Sequence, residues 1–294
     1  MGFISKIKKF FSKHKKSKKI FKSMLDLLGY SKRRRRNFAM SYYKIQIENL
    51  KAWSKLRTEN YNFYYELTDR NLNDLSHLVS VITDKPFSQI QGYMDELKSD
   101  LDLRNHISSI FKNDSDMRDA KVGFGRRYGW YAIIRATQPK TVLETGVHQG
   151  VGAVLICRAL ARNTSEGAPG EYIGVDIDPY AGVLLKGEYA NYGRLIISDA
   201  IKAIDSLDLK VDLFISDSDH NERYEQLEYH HIQNKLNSNA IILADNSHAT
   251  QALANFSLTA NRKYIFFKEE PKDHWYPGAG IGISIKSVSK NWHQ

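Results

Sequence analysis

With 294 residues, 42% of them hydrophobic, the chain can bury a substantial core, which excludes wholesale disorder. The net charge of +10 is concentrated at one end: residues 1–36 hold 14 lysines and arginines against the single acid Asp26, so the rest carries a net −3 and shows no broad footprint for nucleic acid. A single cysteine, Cys157, excludes an internal disulfide and a cysteine-based zinc site, and fits a reducing, cytoplasmic setting.

The basic head, residues 1–36, comes first. No stretch approaches the ~18–20 apolar residues that span a bilayer. Lysines interrupt every apolar cluster, which argues against a secretory signal, and the absence of arginine from the first 31 residues argues against a mitochondrial one. Lys6 stands where a myristoylation site wants Ser or Thr. Phe3, Ile4, Ile7, Phe10 and Phe11 fall at helical offsets with lysines around them. The pattern predicts an amphipathic helix lying on an anionic membrane surface, peripheral to its inner face. The alternatives are a solvated basic tail or a grip on RNA. A second apolar cluster, Ile20 to Leu28, ends at Gly29, and the run Arg33–Arg36 separates head from body.

Residues 37–120 carry helical periodicity. Tyr42, Ile45, Ile47, Leu50, Trp53 and Leu56 predict one long helix, Pro86 opens another, and Leu103–Phe111 forms a third. The many aromatics read as packing, and the region is expected to form a helical cap.

From residue 121 to 294 the rhythm becomes alternating strand and helix, which predicts an α/β fold with a mostly parallel sheet. Tyr128–Thr137 reads as a helix ahead of Pro139. Strands are expected at Thr141–Glu144, Tyr172–Asp176, Arg194–Ser198, Val211–Ser216 and Ala240–Asp245, followed by Tyr264–Phe267 and Ile281–Ile285.

The tips of these strands hold the chemistry. The first ends in Glu144-Thr145-Gly146-Val147-His148-Gln149-Gly150, a glycine-rich turn that lets the backbone approach a ligand. A dinucleotide fingerprint would need glycine at His148 and Val151, and no Gly-Lys-Ser/Thr phosphate loop occurs. Glu144 would repel a pyrophosphate but suits a ligand bearing an ammonium group. Asp176 ends the second strand, placed to accept hydrogen bonds from ribose hydroxyls. Asp199, in Ser198-Asp199-Ala200, either caps the following helix or lies beside an adenine. Asp217 follows the fourth strand, and Asp245-Asn246 the fifth. Two carboxylates and an amide oxygen form a hard donor set suited to Mg²⁺.

In this order the motifs E-x-G-x-x-x-G, V-D and S-D-A resemble the class I S-adenosylmethionine-dependent methyltransferases over roughly residues 125–286. The resemblance implies a Rossmann-like, seven-stranded sheet with helices on both faces. It also implies that Glu144, Gly146 and Gly150 hold the methionine part of S-adenosylmethionine, that Asp176 binds its ribose, and that Asp199 lies at its adenine. The acids after the fourth and fifth strands are similar to those of catechol-type and sugar-type O-methyltransferases, which implies Asp217, Asp245 and Asn246 as ligands of a divalent cation. The family's base, often lysine, lies three residues beyond the first aspartate, where this chain has His220. An imidazole titrates near ~6.5 and can serve as that base.

The expected activity is therefore cation-assisted O-methylation of a hydroxyl on a sugar, a membrane-linked glycan or another small molecule. Three alternatives stay open: a nucleic-acid methyltransferase gripping phosphates with the basic head, a metal-independent enzyme with His220 as base, and a non-catalytic membrane-surface protein. The near-neutral body, and the lack of an Asn-Pro-Pro-Tyr-like tetrad after the fourth strand, argue against the first.

Overall fold

The computed structural model describes residues 19–20, 22–24, 26, 29–55, 64–112 and 122–286, apart from the side chain of Asn246. The expected apolar stripe Phe3 to Phe11 lies outside the described residues, as does the Asn246 amide. The chain divides into two units, Met1–Lys55 and Leu56–Gln294.

In the first unit, helix α1 (Tyr30–Ser41) runs through Arg33–Arg36, and α2 (Lys44–Trp53) follows after a turn at Tyr42 and Tyr43. The single helix expected from Tyr42 onward therefore starts two residues later. Neither helix buries a residue, and Phe38, Tyr42 and Ile45 are 66%, 72% and 70% exposed. Among the described residues no helix is long and apolar enough to cross a membrane.

The second unit begins with helices α3 (Asp69–Thr83), α4 (Phe87–Lys98) and α5 (Leu101–Phe111). Side-chain caps fix two of their starts. Thr68 accepts from the Asn71 amide, and Asp100 accepts from the Leu103 amide at 3.0 Å. Their apolar stripes (Leu75 and Val79, Ile90 and Leu97, Leu103 and Ile107) share one core with Trp130, Val154 and Ile281. These helices thus belong to the same hydrophobic body as the sheet.

Helix α6 (Arg127–Thr137) leads into β1 (Thr141–Thr145), with Gln138 in the left-handed region ending it ahead of Pro139. The order continues α7 (Val151–Ser165), β2 (Glu171–Asp176), β3 (Gly193–Ile197), α8 (Ala200–Ser206), β4 (Val211–Ser216), α9 (Glu222–Ile232), β5 (Leu236–Ala244), α10 (Ala252–Thr259), β6 (Arg262–Lys268) and β7 (Gly280–Lys286). The sheet order is β3-β2-β1-β4-β5-β7-β6. The first five strands are parallel, whereas β7 runs antiparallel between β5 and β6. This is the mostly parallel sheet that the strand–helix rhythm predicts, with the seven strands and Rossmann-like form that the resemblance implies. Its strand order reverses between β1 and β4, and open α/β sheets take ligands in the crevice beyond such a switch point.

Candidate functional site

The crevice is a cavity of about 580 Å³ at the carboxyl ends of β1 to β5, within the range of small-molecule sites. Five parallel strands at ~4.8 Å spacing make its floor roughly 19 Å across. The turn after β1 is its centre. Gly146 has φ 83°, and a Cβ there would lie 2.0 Å from the Asp217 carbonyl oxygen, so only glycine lets the loops after β1 and β4 touch. His148 also sits in the left-handed region at φ 49°, filling with imidazole a conformation usually left to glycine.

Asp176 both braces this turn and lines the cavity. Its Oδ2 accepts from the Val147 and His148 amides at 2.8 and 2.9 Å, and Oδ1 from the Asp178 amide at 2.9 Å. Each carboxylate oxygen has two lone-pair sites, so Oδ1 keeps one for a ligand hydroxyl. Asp199 performs the capping task that the sequence left open to it. It caps α8 through the Lys202 amide, accepts from the Tyr224 hydroxyl at 2.8 Å, and lines the cavity. The Lys202 amide, outweighing partial burial, holds its carboxyl below the usual range.

Glu144 and Gly150 stand apart from these groups. Glu144 is 2% exposed, takes a hydrogen bond from the Tyr172 hydroxyl, and does not line the cavity. Its side chain sits against α7, where a Cβ on Gly152 would come within 2.5 Å of Oε1. Burial pushes this carboxyl up to about 7, against the Tyr172 hydrogen bond and the Arg127 charge. Gly150, at φ 92°, precedes α7 and is packed against Gly182, also away from the cavity lining.

At the β4–β5 side, Asp217, Asp245 and His220 come together at the cavity. His220 is exposed and makes no hydrogen bond or ion pair among the described residues. A residue not foreseen from the sequence dominates this side. Arg126, just ahead of α6, is 5% exposed. Its Nε donates to Asp245 Oδ1, and its Nη2 to Oδ2 at 2.5 Å, a fork engaging both carboxylate oxygens. Glu269, 1% exposed, completes the network. It accepts from the Arg126 amide at 2.6 Å and the Tyr65 hydroxyl at 2.8 Å, and lies 3.5 Å from Arg126 Nη1. Burial alone would raise the Asp245 carboxyl, yet Arg126 holds it below its ordinary value. Asp217 lacks such a partner, so burial and the Asp245 charge push its carboxyl well up.

This donor set does not fit the Mg²⁺ expected at Asp217, Asp245 and Asn246. Each oxygen of Asp245 accepts from one guanidinium, and although a lone pair remains on each, a dication there would meet that fixed positive charge and be repelled. Among the described residues, no group of three or more His, Cys, Asp and Glu side chains is placed to hold a metal ion.

Residues 143–247, running from β1 past the tip of β5, match the model of a family described as a methyltransferase domain. Over these residues the chain is similar to a methyltransferase domain. Comparison with curated proteins finds no match. Among solved structures, the chain is similar to a putative O-methyltransferase from Klebsiella pneumoniae (14% identity, TM-score 0.42, covering 54% of this chain and 79% of the other). It is also similar to the O-methyltransferase TomG from Streptomyces achromogenes, solved with S-adenosylmethionine (12%, 0.44, 63% and 88%). A third is the Podospora anserina methyltransferase PaMTH1, solved with S-adenosylhomocysteine (15%, 0.43, 75% and 97%). Superpositions this loose leave the fold to rest on the strand order of the chain itself.

The fold thus brings Gly146, Asp176, Asp199, Asp217, Asp245 and His220 to one cavity, and leaves Glu144 and Gly150 out of its lining. Sequence reading missed Arg126, Arg127, Tyr64 and Tyr224, which also line it. A signal for the arginines exists. Two cations at the start of a helix oppose its macrodipole, so Arg126-Arg127 ahead of Tyr128–Thr137 marks a place where charge is needed for another reason.

Proposed function

We propose that the protein transfers the sulfonium methyl of S-adenosylmethionine to a hydroxyl oxygen of a small molecule, with His220 as base and with no step through a metal ion. The observation that carries this reading is the Arg126–Asp245 pair, which occupies the fifth-strand acid on which a metal would depend. In the proposed complex Asp176 Oδ1 meets a ribose hydroxyl, Asp199 and Tyr224 bound the adenine, and the methionine chain crosses Gly146. His220 takes the hydroxyl proton as an oxygen lone pair attacks the methyl carbon. The carbon–sulfur electrons return to sulfur, leaving a neutral thioether. Orientation within the cavity supplies much of the rate, because it turns a two-body encounter into a local one.

The test is transfer of labelled methyl into the small-molecule fraction of a cell extract. Transfer is expected to survive exhaustive chelation. His220→Ala should lose ~10²–10⁴-fold in rate, with S-adenosylhomocysteine binding unchanged. Loss on chelation with recovery in Mg²⁺ would restore the metal reading, and a fully active His220→Ala enzyme would remove the base.

A second reading concerns the first unit. Helices α1 and α2 bury nothing, and Phe38 and Tyr42 are exposed on a unit that also carries Arg33–Arg36. Apolar surface and dense positive charge on one segment favour an anionic membrane as its partner. The full chain should sediment with anionic vesicles and much less with neutral ones; equal sedimentation with both defeats this reading.

A further inference from the structure

Arg127 directly follows the caged Arg126, yet none of its guanidinium hydrogens has a protein acceptor among the described residues. It lines the cavity, its Nε is buried without a hydrogen-bond partner, and its guanidinium carbon stands 5.4 Å from the Trp130 ring centroid. Three acids feel its charge: Asp245 is engaged by Arg126, Glu144 by Tyr172, and Asp217 makes no hydrogen bond to Arg127 while burial and the Asp245 charge push its carboxyl well up. A guanidinium desolvated on one side and unpaired on the other calls for an incoming anion, because a buried donor without an acceptor is costly. The remaining walls narrow the choice. Asp176, Asp178, Asp199 and Asp219 line the same cavity and would repel a polyanion such as a pyrophosphate. A single carboxylate matches the planar fork of arginine and brings only one charge.

We propose that Arg127 is the carboxylate-recognition residue of this cavity. It receives a carboxylate either from the methionine end of the cofactor or from the acceptor. The inference rests on the S-adenosylmethionine reading and deepens it by giving the ligand a required charge.

Calorimetry on the full chain separates the sources. S-adenosylhomocysteine carries the amino-acid carboxylate, whereas 5′-methylthioadenosine has the same nucleoside without it. If the cofactor supplies the carboxylate, Arg127→Gln should weaken S-adenosylhomocysteine about 10- to 100-fold, the worth of charge-assisted hydrogen bonds. Binding of 5′-methylthioadenosine should be unchanged, and Arg127→Lys should recover part of the loss. If the acceptor supplies it, both nucleosides should bind the variant as before. The S-adenosylhomocysteine complex of Arg127→Gln should then lose affinity for 3,4-dihydroxybenzoate relative to the wild-type complex, with catechol unaffected. Equal weakening of both nucleosides would mean a structural role and overturn the proposal, as would a variant matching wild type with every probe. A wild-type protein that binds neither nucleoside overturns the cofactor reading itself, an outcome distinct from any result on Arg127.

Discussion

Helix α6 holds a buried arginine at each end, and the two are held in opposite ways. Arg135, in the last turn, is 2% exposed and pairs with Glu96 and Glu166, whose side chains are 27% and 49% exposed. A cation there also suits the negative end of the helix dipole. Arg126 sits at the positive end of the same dipole, and its acids, Asp245 and Glu269, are as buried as it is. The favourable end needs only partners that water can still reach. The unfavourable end needs a closed cage of two desolvated carboxylates, and that cage forms part of the cavity wall. Charge placed against the helix field is thus a structural mark of the functional site.

Three measurements break or sharpen this contrast. The largest effect is expected from Arg126→Met, which leaves two buried carboxylates without a cation. Breaking a buried pair from one side typically costs ~3–5 kcal/mol, read as a fall in urea midpoint. A variant as stable as wild type would show that the cage is not closed.

Next is a pH slope. Glu144, near the same end of α6, holds its proton in the folded state up to about 7, against 4.5 when unfolded. The folded form therefore binds the extra proton between those values, and stability from this group falls as pH rises through that window, then levels above it. Glu144→Gln should flatten the slope by on the order of 3 kcal/mol across the interval. A fixed cost of the amide cancels in the slope. An unchanged slope in the variant would place the titration elsewhere.

Arg135→Met should have the smallest effect, about 1–2 kcal/mol, because Glu96 and Glu166 can rehydrate while Asn163 loses one donor. Its pH signature is opposite in sign. The hydrogen bond from Arg135 holds Glu166 below its usual range, so that contribution is present above the unfolded value and disappears as pH falls through the folded one. Arg135→Met should remove part of the acid-side loss of stability. A loss at neutral pH as large as that of Arg126→Met would erase the distinction between the two ends.

The sheet was readable in the sequence because each buried strand is a short apolar run closed by glycine or aspartate. Asp176, Asp199, Asp217 and Asp245 reach one cavity because each follows the carboxyl end of a parallel strand. Glu144 ends the same kind of run yet faces away. Side chains alternate across a strand, and nothing local to Glu144 says which face it takes until Tyr172 and Gly152 are packed against it. Arg126 was hidden for a different reason. Its partners lie 119 and 143 residues further on, beyond the reach of any local pattern. The helix predicted from Tyr42 divides from α1 at Tyr42–Tyr43, a detail periodicity cannot show when neither helix has a buried face.

Those sequence separations also set an order of assembly. Synthesis delivers Arg126 early, Asp245 much later, and Glu269 later still, while Tyr65 must wait 204 residues for the same carboxylate. Until β6 leaves the ribosome the Arg126 guanidinium has at most one of its two counter-charges, so closing the cavity wall falls among the last events of folding. A chain shortened before Glu269 keeps β1 to β5 and the Gly146 turn but leaves Tyr65 and Arg126 short of their shared acceptor. Long-range closure of this kind is slow, and the nascent domain presents its Gly146 turn before the wall around Arg126 is complete.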